Sequence, residues 1–318
     1  MYHYVRDSAA TPFPGIRALP PAHFERQLDW LQREYTLTGV DAVRAALDGG
    51  PPLPANAALL TFDDGFRDHY ESAFPLLVRR GLTGVFFLSH DACVPPHRLL
   101  GVHQTHFLLA TLGAAAFGRE VMAECELAAP AADGARGGRV FGADRWEAPD
   151  ERALKHLLNY ELPFAEADRV LDALFRRHLG DPVAFARSLY LEAAQVREMA
   201  ANGMTFGYHT RSHRMLSRLS HREQTTELCD GAAWIRELTG QRHVPFCYPW
   251  GGTKTYTGET VRILASSGYS LAFNTVRRRA DLAVDGRFEI PRFDTRDLPP
   301  YTSGEHDAAA AASPVEEA

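Results

Sequence analysis

Short apolar segments alternate with helical patterns along most of this 318-residue chain, and this alternation limits the fold more than any other feature. Residues 57–62 (AALLTF) are predicted to form a buried strand, residues 69–81 a helix and residues 82–88 (LTGVFFL) a second strand. Strand, helix and strand at this spacing are typical of a βαβ unit with a parallel sheet. The predicted fold class is therefore α/β.

The same alternation returns in the last third of the chain. Further strands are predicted at residues 204–210, 243–249, 270–275 and 287–294, with helices before or between them at residues 190–203, 221–240 and 257–268. Residues 1–5 (MYHYV) alternate as a short strand. Residues from about 91 to 188 instead favour a mostly helical insertion. We predict one domain over residues 1–306 that contains this insertion, and a disordered tail at 307–318.

Composition excludes several functional classes. The chain has 34 basic and 40 acidic residues, a net charge of −6, so it has no electrostatic reason to bind nucleic acid. No apolar run approaches the ~18 residues of a transmembrane segment. The first residues show no secretory leader, and the four cysteines form no close pair, so a cytoplasmic location is expected. The oligomeric state stays open.

Two groups of polar residues each follow a predicted strand, where α/β barrels build their active sites. Asp63 and Asp64 precede a glycine, and like charges this close are costly unless a cation separates their roles. His209 and His213 can meet one metal if the segment coils after its strand. Taken alone, the first group reads as a solvated turn and the second as two solvent-facing histidines. Together, two histidines and a carboxylate form a known catalytic zinc set with a position open for water.

The third group is the turn at residues 248–251 (YPWG), which follows the predicted strand at 243–249. A turn of this kind can aim a backbone N–H, here that of Trp250, into a site as an oxyanion donor. The alternative is an ordinary aromatic-rich turn.

TFDDG, HTRSH and YPWG, in this order, resemble the motifs of the polysaccharide deacetylase superfamily (carbohydrate esterase family four). The resemblance implies an irregular (β/α) barrel of about seven strands and metal-dependent hydrolysis of an N-acetyl group on an amino sugar. It implies that Asp63 is the catalytic base and that the Trp250 N–H is the oxyanion donor. The implied metal ligands are Asp64, His209 and His213.

The chain departs from the family pattern at two places. Cys247 stands where many members have an arginine near the base, and a buried, inert thiol is the favoured interpretation of this cysteine. Arg292 is our candidate for the missing cation, with a surface arginine as an equal alternative. The usual C-terminal histidine acid is also missing. The N-terminal YHYV resembles the element that opens the poly-N-acetylglucosamine deacetylase branch, which implies that His3 is the general acid. A structural histidine is the alternative.

The resemblance thus implies a hydrolase that binds Zn²⁺, with Co²⁺ or Ni²⁺ as alternatives, and releases acetate from an amino-sugar substrate. With no leader in view, a small, nucleotide-linked or lipid-linked sugar is expected rather than an exported polymer. Two other functions stay open. One is a cyclic imide or ureide amidohydrolase of the same superfamily, and the other is a catalytically inactive sugar-binding module.

Overall fold

The computed structural model describes residues 1–125 and 148–299. These residues form two compact units. The first contains Met1–Asp7, Ala18–Cys93 and the described residues from Tyr190 onward. The second contains Ser8–Arg17 and the described part of Val94–Leu189.

A parallel five-stranded sheet is the centre of the first unit. Its strands follow one another in chain order and each pairs with the next: β3 (Thr61–Phe62), β4 (Val85–Leu88), β5 (Thr205–Tyr208), β6 (Phe246–Cys247) and β7 (Ala272–Phe273). Every residue of β4 is buried, as expected for a parallel strand that is covered on both faces. Phe62 and Phe86, on adjacent strands, stack at 4.5 Å between ring centroids and fill the interior.

Two further segments extend this sheet at its edges. Tyr2 forms a parallel bridge with Phe62, and Ile290 forms one with Phe273. The two segments also meet, because the Thr295 backbone N–H donates to the carbonyl of Met1 at 3.1 Å. Five strands and two bridged segments thus curl into a ring, which agrees with the predicted irregular barrel of about seven strands.

Helices and a small second sheet complete the first unit. The strands β1 (Thr36–Leu37) and β2 (Ala57–Ala58) pair in parallel. Helix α1 (Pro21–Glu34) has proline in its first turn, where no N–H is needed, and buries Phe24, Leu28 and Leu31 on one face. The other helices of this unit are α2 (Val40–Leu47), α3 (Phe74–Arg79), α4 (His90–Cys93), α10 (Ala193–Ala201), α11 (His221–Leu228), α12 (Gly231–Thr239) and α13 (Gly258–Ser266).

The regular secondary structure described in the second unit is all helical. Its helices are α5 (Gly101–Leu112), α6 (Ala114–Glu124), α7 (Pro149–His156), α8 (Phe164–Leu179) and α9 (Pro182–Leu189). Edge-to-face contacts of Phe185 with Phe107 and Phe175 anchor α9 to α5 and α8. The predicted helical character of this region is confirmed where it is described. No helix among the described residues is long and apolar enough to span a bilayer.

Some predicted elements divide in the structure. Residues 57–62, predicted as one strand, form β2 and β3, which belong to different sheets. The helix predicted at 221–240 is two helices, α11 and α12, with a break at Cys229 and Asp230. Residues 69–81 form a π-helical turn, His69–Ala73, followed by α3. The tail predicted at 307–318 lies outside the described residues, and the one-domain assignment stays a prediction.

Candidate active site

The three sequence motifs lie at the carboxyl ends of β3, β5 and β6. Parallel strands place these ends at the same edge of the sheet, so residues far apart in sequence come together there. The site therefore owes its assembly to the strand order.

Asp64, His209 and His213 form the candidate metal centre. The Nε2 atoms of His209 and His213 lie 3.5 and 3.3 Å from Oδ1 of Asp64, and the three ligand atoms are within 4.8 Å of one another. Ligand atoms at tetrahedral zinc are separated by about 3.3 Å, since each lies about 2.0–2.2 Å from the ion. The donor set and its spacing therefore fit a divalent ion such as zinc.

Backbone contacts fix the orientation of His209. Its Nδ1–H donates to the carbonyl of Cys247 at 2.8 Å, which leaves Nε2 facing Asp64. A ligating histidine typically donates its other ring nitrogen in this way, because the bond sets the tautomer and the ring orientation. The His213 ring packs edge-on against His209 at 4.8 Å between centroids.

The backbone is strained in all three motifs. Among the described residues, five non-glycine residues have positive φ: Asp64, His97, Thr210, His213 and Trp250. Four of these belong to the three motifs. Such conformations cost about 1–3 kcal/mol each and cluster at functional sites, where the surrounding structure holds them.

Asp63 lies beside the metal centre but is paired with an arginine. The Nη1 and Nη2 atoms of Arg292 donate to its Oδ1 and Oδ2 at 2.9 and 2.8 Å. Burial raises the pKa of Asp63, but the charge and hydrogen bonds of Arg292 outweigh it and hold that pKa well below its usual value. Asp63 is therefore a carboxylate at neutral pH. Arg292 is buried and not on the surface, the alternative left open by the sequence.

Cys247 contacts the same pair. Its Sγ lies 2.9 Å from Nη2 of Arg292 and 3.6 Å from Oδ2 of Asp63, and burial raises the pKa of the thiol. Asp63, His209 and Cys247 also lie close enough to form a second ligand cluster. The guanidinium already binds two of these three groups, so Asp64, His209 and His213 are the better metal site. Cys247 is buried, as predicted.

His3 also approaches Asp63. Its Nε2 is 3.9 Å from Oδ2 of Asp63, and its side chain is 39% exposed. The segment that carries it pairs with β3 through a bridge from Tyr2 to Phe62, with Tyr2 stacked on Phe62 and Tyr4 stacked on Phe66. The two tyrosines anchor the segment through the opposite face, so His3 points toward the site.

Trp250 reaches the site through the strained turn after β6. Its φ is 65°, and its carbonyl accepts a hydrogen bond from the Thr275 hydroxyl at 2.9 Å. Gly251 has φ of 62°, and a Cβ there would lie 2.5 Å from a carbon of Thr275, so the turn requires glycine. The Trp250 ring lies 5.8 Å from the His213 ring, which places this turn beside the metal centre.

Two residues that support the site were missed by the sequence analysis. His69 is fully buried, and its Nε2–H donates to the carbonyl of His3 at 2.8 Å. Burial lowers the pKa of His69 to about 4, so the ring is neutral. Glu227, on α11, accepts hydrogen bonds from Ser212 between the two histidine ligands. No local motif marks either residue, because each depends on a contact between distant segments.

Comparison with known sequences supports the resemblance. Residues 166–272 match the family described as polysaccharide deacetylase, a range that includes the second and third motifs but not the first. A stretch of 78 residues is 37% identical to the poly-beta-1,6-N-acetyl-D-glucosamine N-deacetylase of Escherichia coli K12. That stretch covers 24% of this chain and only 11% of the length of the relative.

Comparison with solved structures confirms the fold. The Streptococcus pyogenes deacetylase PplD, solved with acetate, superposes with a TM-score of 0.57 at 18% identity, over 99% of this chain and 96% of that one. IcaB from Ammonifex degensii gives a TM-score of 0.51 at 19% identity, over 92% of this chain and 84% of that one. The predicted irregular (β/α) barrel is therefore correct.

Proposed function

We propose that this chain, which carries a polysaccharide deacetylase domain, is a metal-dependent N-deacetylase that hydrolyses the N-acetyl group of an amino sugar and releases acetate. One observation carries the proposal. Of two adjacent aspartates, Asp64 faces His209 and His213, whereas Asp63 is held by Arg292 and remains available as a base. This division of roles is what hydrolysis of an amide by an activated water needs.

Each site residue has a role that follows from its position. Asp64, His209 and His213 would hold a divalent ion, zinc in our proposal, which would supply Lewis-acid activation of the water and the acetamide carbonyl. Asp63 accepts the proton of the water that attacks the acetamide carbonyl, and Arg292 keeps this carboxylate ionised and oriented. The Trp250 N–H donates to the oxyanion that develops on the substrate. His3, partly exposed and 3.9 Å from Asp63, donates a proton to the departing amine.

The sugar that carries the acetyl group, and that leaves as the amine, is proposed only as a class. The E. coli relative is named for poly-β-1,6-N-acetylglucosamine, which favours an N-acetylglucosamine glycan as substrate. The small, nucleotide-linked or lipid-linked sugar expected from the sequence stays a prediction, as does the cytoplasmic location. Acetate release from β-1,6-linked N-acetylglucosamine oligomers and from a nucleotide-linked N-acetylglucosamine distinguishes the two substrate classes.

The decisive experiment compares the wild type with Asp63→Asn in the zinc-loaded protein. We expect acetate release to fall by at least about a hundredfold, the typical contribution of a general base, while zinc content stays unchanged. Asp41→Asn is the control, since the Asp41 side chain is 76% exposed on α2 and should keep full activity. Full activity of Asp63→Asn would contradict the proposed base.

Two further assays test the alternative functions. Ring opening of a cyclic imide, without acetate release from any amino sugar, would instead indicate a cyclic imide or ureide amidohydrolase. Sugar binding with neither reaction, in protein shown to contain zinc, would indicate an inactive binding module.

A further inference from the structure

The loop that joins the two histidine ligands is held by a buried carboxylate from a separate helix. Glu227, near the end of α11, is 7% exposed. Its Oε2 accepts from the backbone N–H of Ser212 at 2.8 Å, and its Oε1 accepts from the Ser212 hydroxyl at 2.5 Å. In addition, the backbone N–H of Arg211 donates to the carbonyl of Glu227 at 3.2 Å. Three hydrogen bonds therefore connect this helix to two consecutive residues of the loop.

A carboxylate suits this position for a chemical reason. Ser212 offers two donors side by side, and an ionised carboxylate presents two acceptor oxygens in one plane. Burying a charge is costly unless it is hydrogen-bonded, and bonds to a charged acceptor are about twice as strong as neutral ones. The contacts of Glu227 thus offset the cost of its burial and hold Ser212 firmly.

The loop needs this support because its backbone is strained next to the ligand. Thr210 and His213 have φ of 65° and 58°. The Thr210 hydroxyl accepts from the His213 N–H at 2.9 Å, and Ser212 lies between them. A loop released at Ser212 can relax toward ordinary φ values, which would move the His213 imidazole away from Asp64.

We propose that Glu227 is a positioning residue that sets the metal affinity of the site by holding His213 through Ser212. This inference rests on the proposed function, since it assumes that His213 ligates the metal. Groups hydrogen-bonded directly to a metal ligand typically change metal affinity or activity by about 10–100-fold when they are removed. Glu227 acts one residue farther away, through Ser212, so the lower end of this range is expected.

The test measures zinc affinity in the full chain by competition with a chromophoric chelator. Glu227→Met keeps the length of the side chain but removes both acceptors, and we expect zinc to bind about tenfold more weakly. The visible absorption spectrum of the Co²⁺-substituted protein should also change, because the His213 ligand has moved. Glu237→Met is the matched control on the exposed side of α12 and should leave affinity and spectrum unchanged.

In the conservative variant Glu227→Gln, the side-chain amide can still accept from the Ser212 N–H and can donate to the Ser212 hydroxyl. It should therefore recover most of the zinc affinity that Glu227→Met loses. Wild-type affinity and spectrum in a folded Glu227→Met protein would overturn the inference. If Glu227→Met does not fold, Ser212→Ala provides the test, because it removes the hydrogen bond from the Ser212 hydroxyl to Glu227. This variant should bind zinc more weakly, and unchanged zinc affinity would overturn the inference. Failure of the proposed function is distinguishable, because it is read from acetate release by the wild type, whereas this inference is read from zinc affinity and the Co²⁺ spectrum.

Discussion

Replacing Arg292 with methionine should destabilise the barrel strongly. The guanidinium makes two charged hydrogen bonds to Asp63 and others to the Thr61 hydroxyl and the Asn274 carbonyl, both at 3.0 Å. The side chains of Arg292 and Asp63 are only 5% and 3% exposed. The variant would leave the Asp63 charge buried and uncompensated.

The expected magnitude follows from these contacts. Removing one partner of a buried ion pair costs about 3–5 kcal/mol, and an isolated neutral hydrogen bond contributes about 1 kcal/mol. We therefore expect the free energy of unfolding to fall by about 4 kcal/mol, a large part of the ~5–15 kcal/mol that stabilises a typical protein. The double variant Asp63→Asn/Arg292→Met removes the orphaned charge as well and should recover part of this loss.

Urea denaturation at pH 7 measures the effect, with a chelator present so that metal binding does not contribute. Arg33→Met is the matched control, because Arg33 and its partner Glu34 are 66% and 47% exposed. An exposed pair contributes at most about 1 kcal/mol, so this control should unfold nearly as the wild type does. A loss of less than about 1 kcal/mol for Arg292→Met would refute the buried-pair argument.

Three other predictions concern the acid, the core and pH. His3→Gln should lower kcat while zinc content stays unchanged, and an unchanged kcat would remove His3 from the mechanism. Gly231→Ala should lower the free energy of unfolding by about 1–3 kcal/mol, because the added Cβ would lie 2.2 Å from ring atoms of Tyr208. Thermal unfolding measures this effect, and a wild-type melting temperature would contradict it. Burial lowers the pKa of His69 to about 4, so the unfolded chain binds its proton first as pH falls. Stability should therefore decline from about pH 6.5 to 4, and His69→Gln should flatten this decline, as urea titrations across that range would show.

The sequence was informative about the site wherever the chemistry lies in one short segment. TFDDG, HTRSH and YPWG each combine a strand end with polar or glycine-rich turn residues, so their positions at the edge of the sheet could be predicted. The extended segment that carries His3 could also be predicted, because the alternation in MYHYV puts the two tyrosines and the histidine on opposite faces. The structure brings all these residues together, but their catalytic roles stay proposals until they are tested.

The residues that hold these groups were harder to predict. Arg292 and Cys247 meet Asp63 only because three strands curl around a common interior. Glu227 and His69 lie on helical segments with nothing in the local sequence to indicate a polar partner. Strand boundaries failed for a similar reason: residues 57–62 are apolar throughout, so periodicity could not show that Ala57–Ala58 and Thr61–Phe62 enter different sheets.

The joining of residues 1–5 with residues 290–295 has a consequence for biosynthesis. His3 and Arg292 approach Asp63 from these two segments, which are among the most widely separated in the chain. By contrast, the proposed metal ligands, Asp64, His209 and His213, all precede residue 214. During translation the ligand set can therefore emerge from the ribosome before the arginine does, and contacts of such long sequence separation form slowly. We therefore expect the candidate site to be completed last, when the seam between the two segments closes around Asp63.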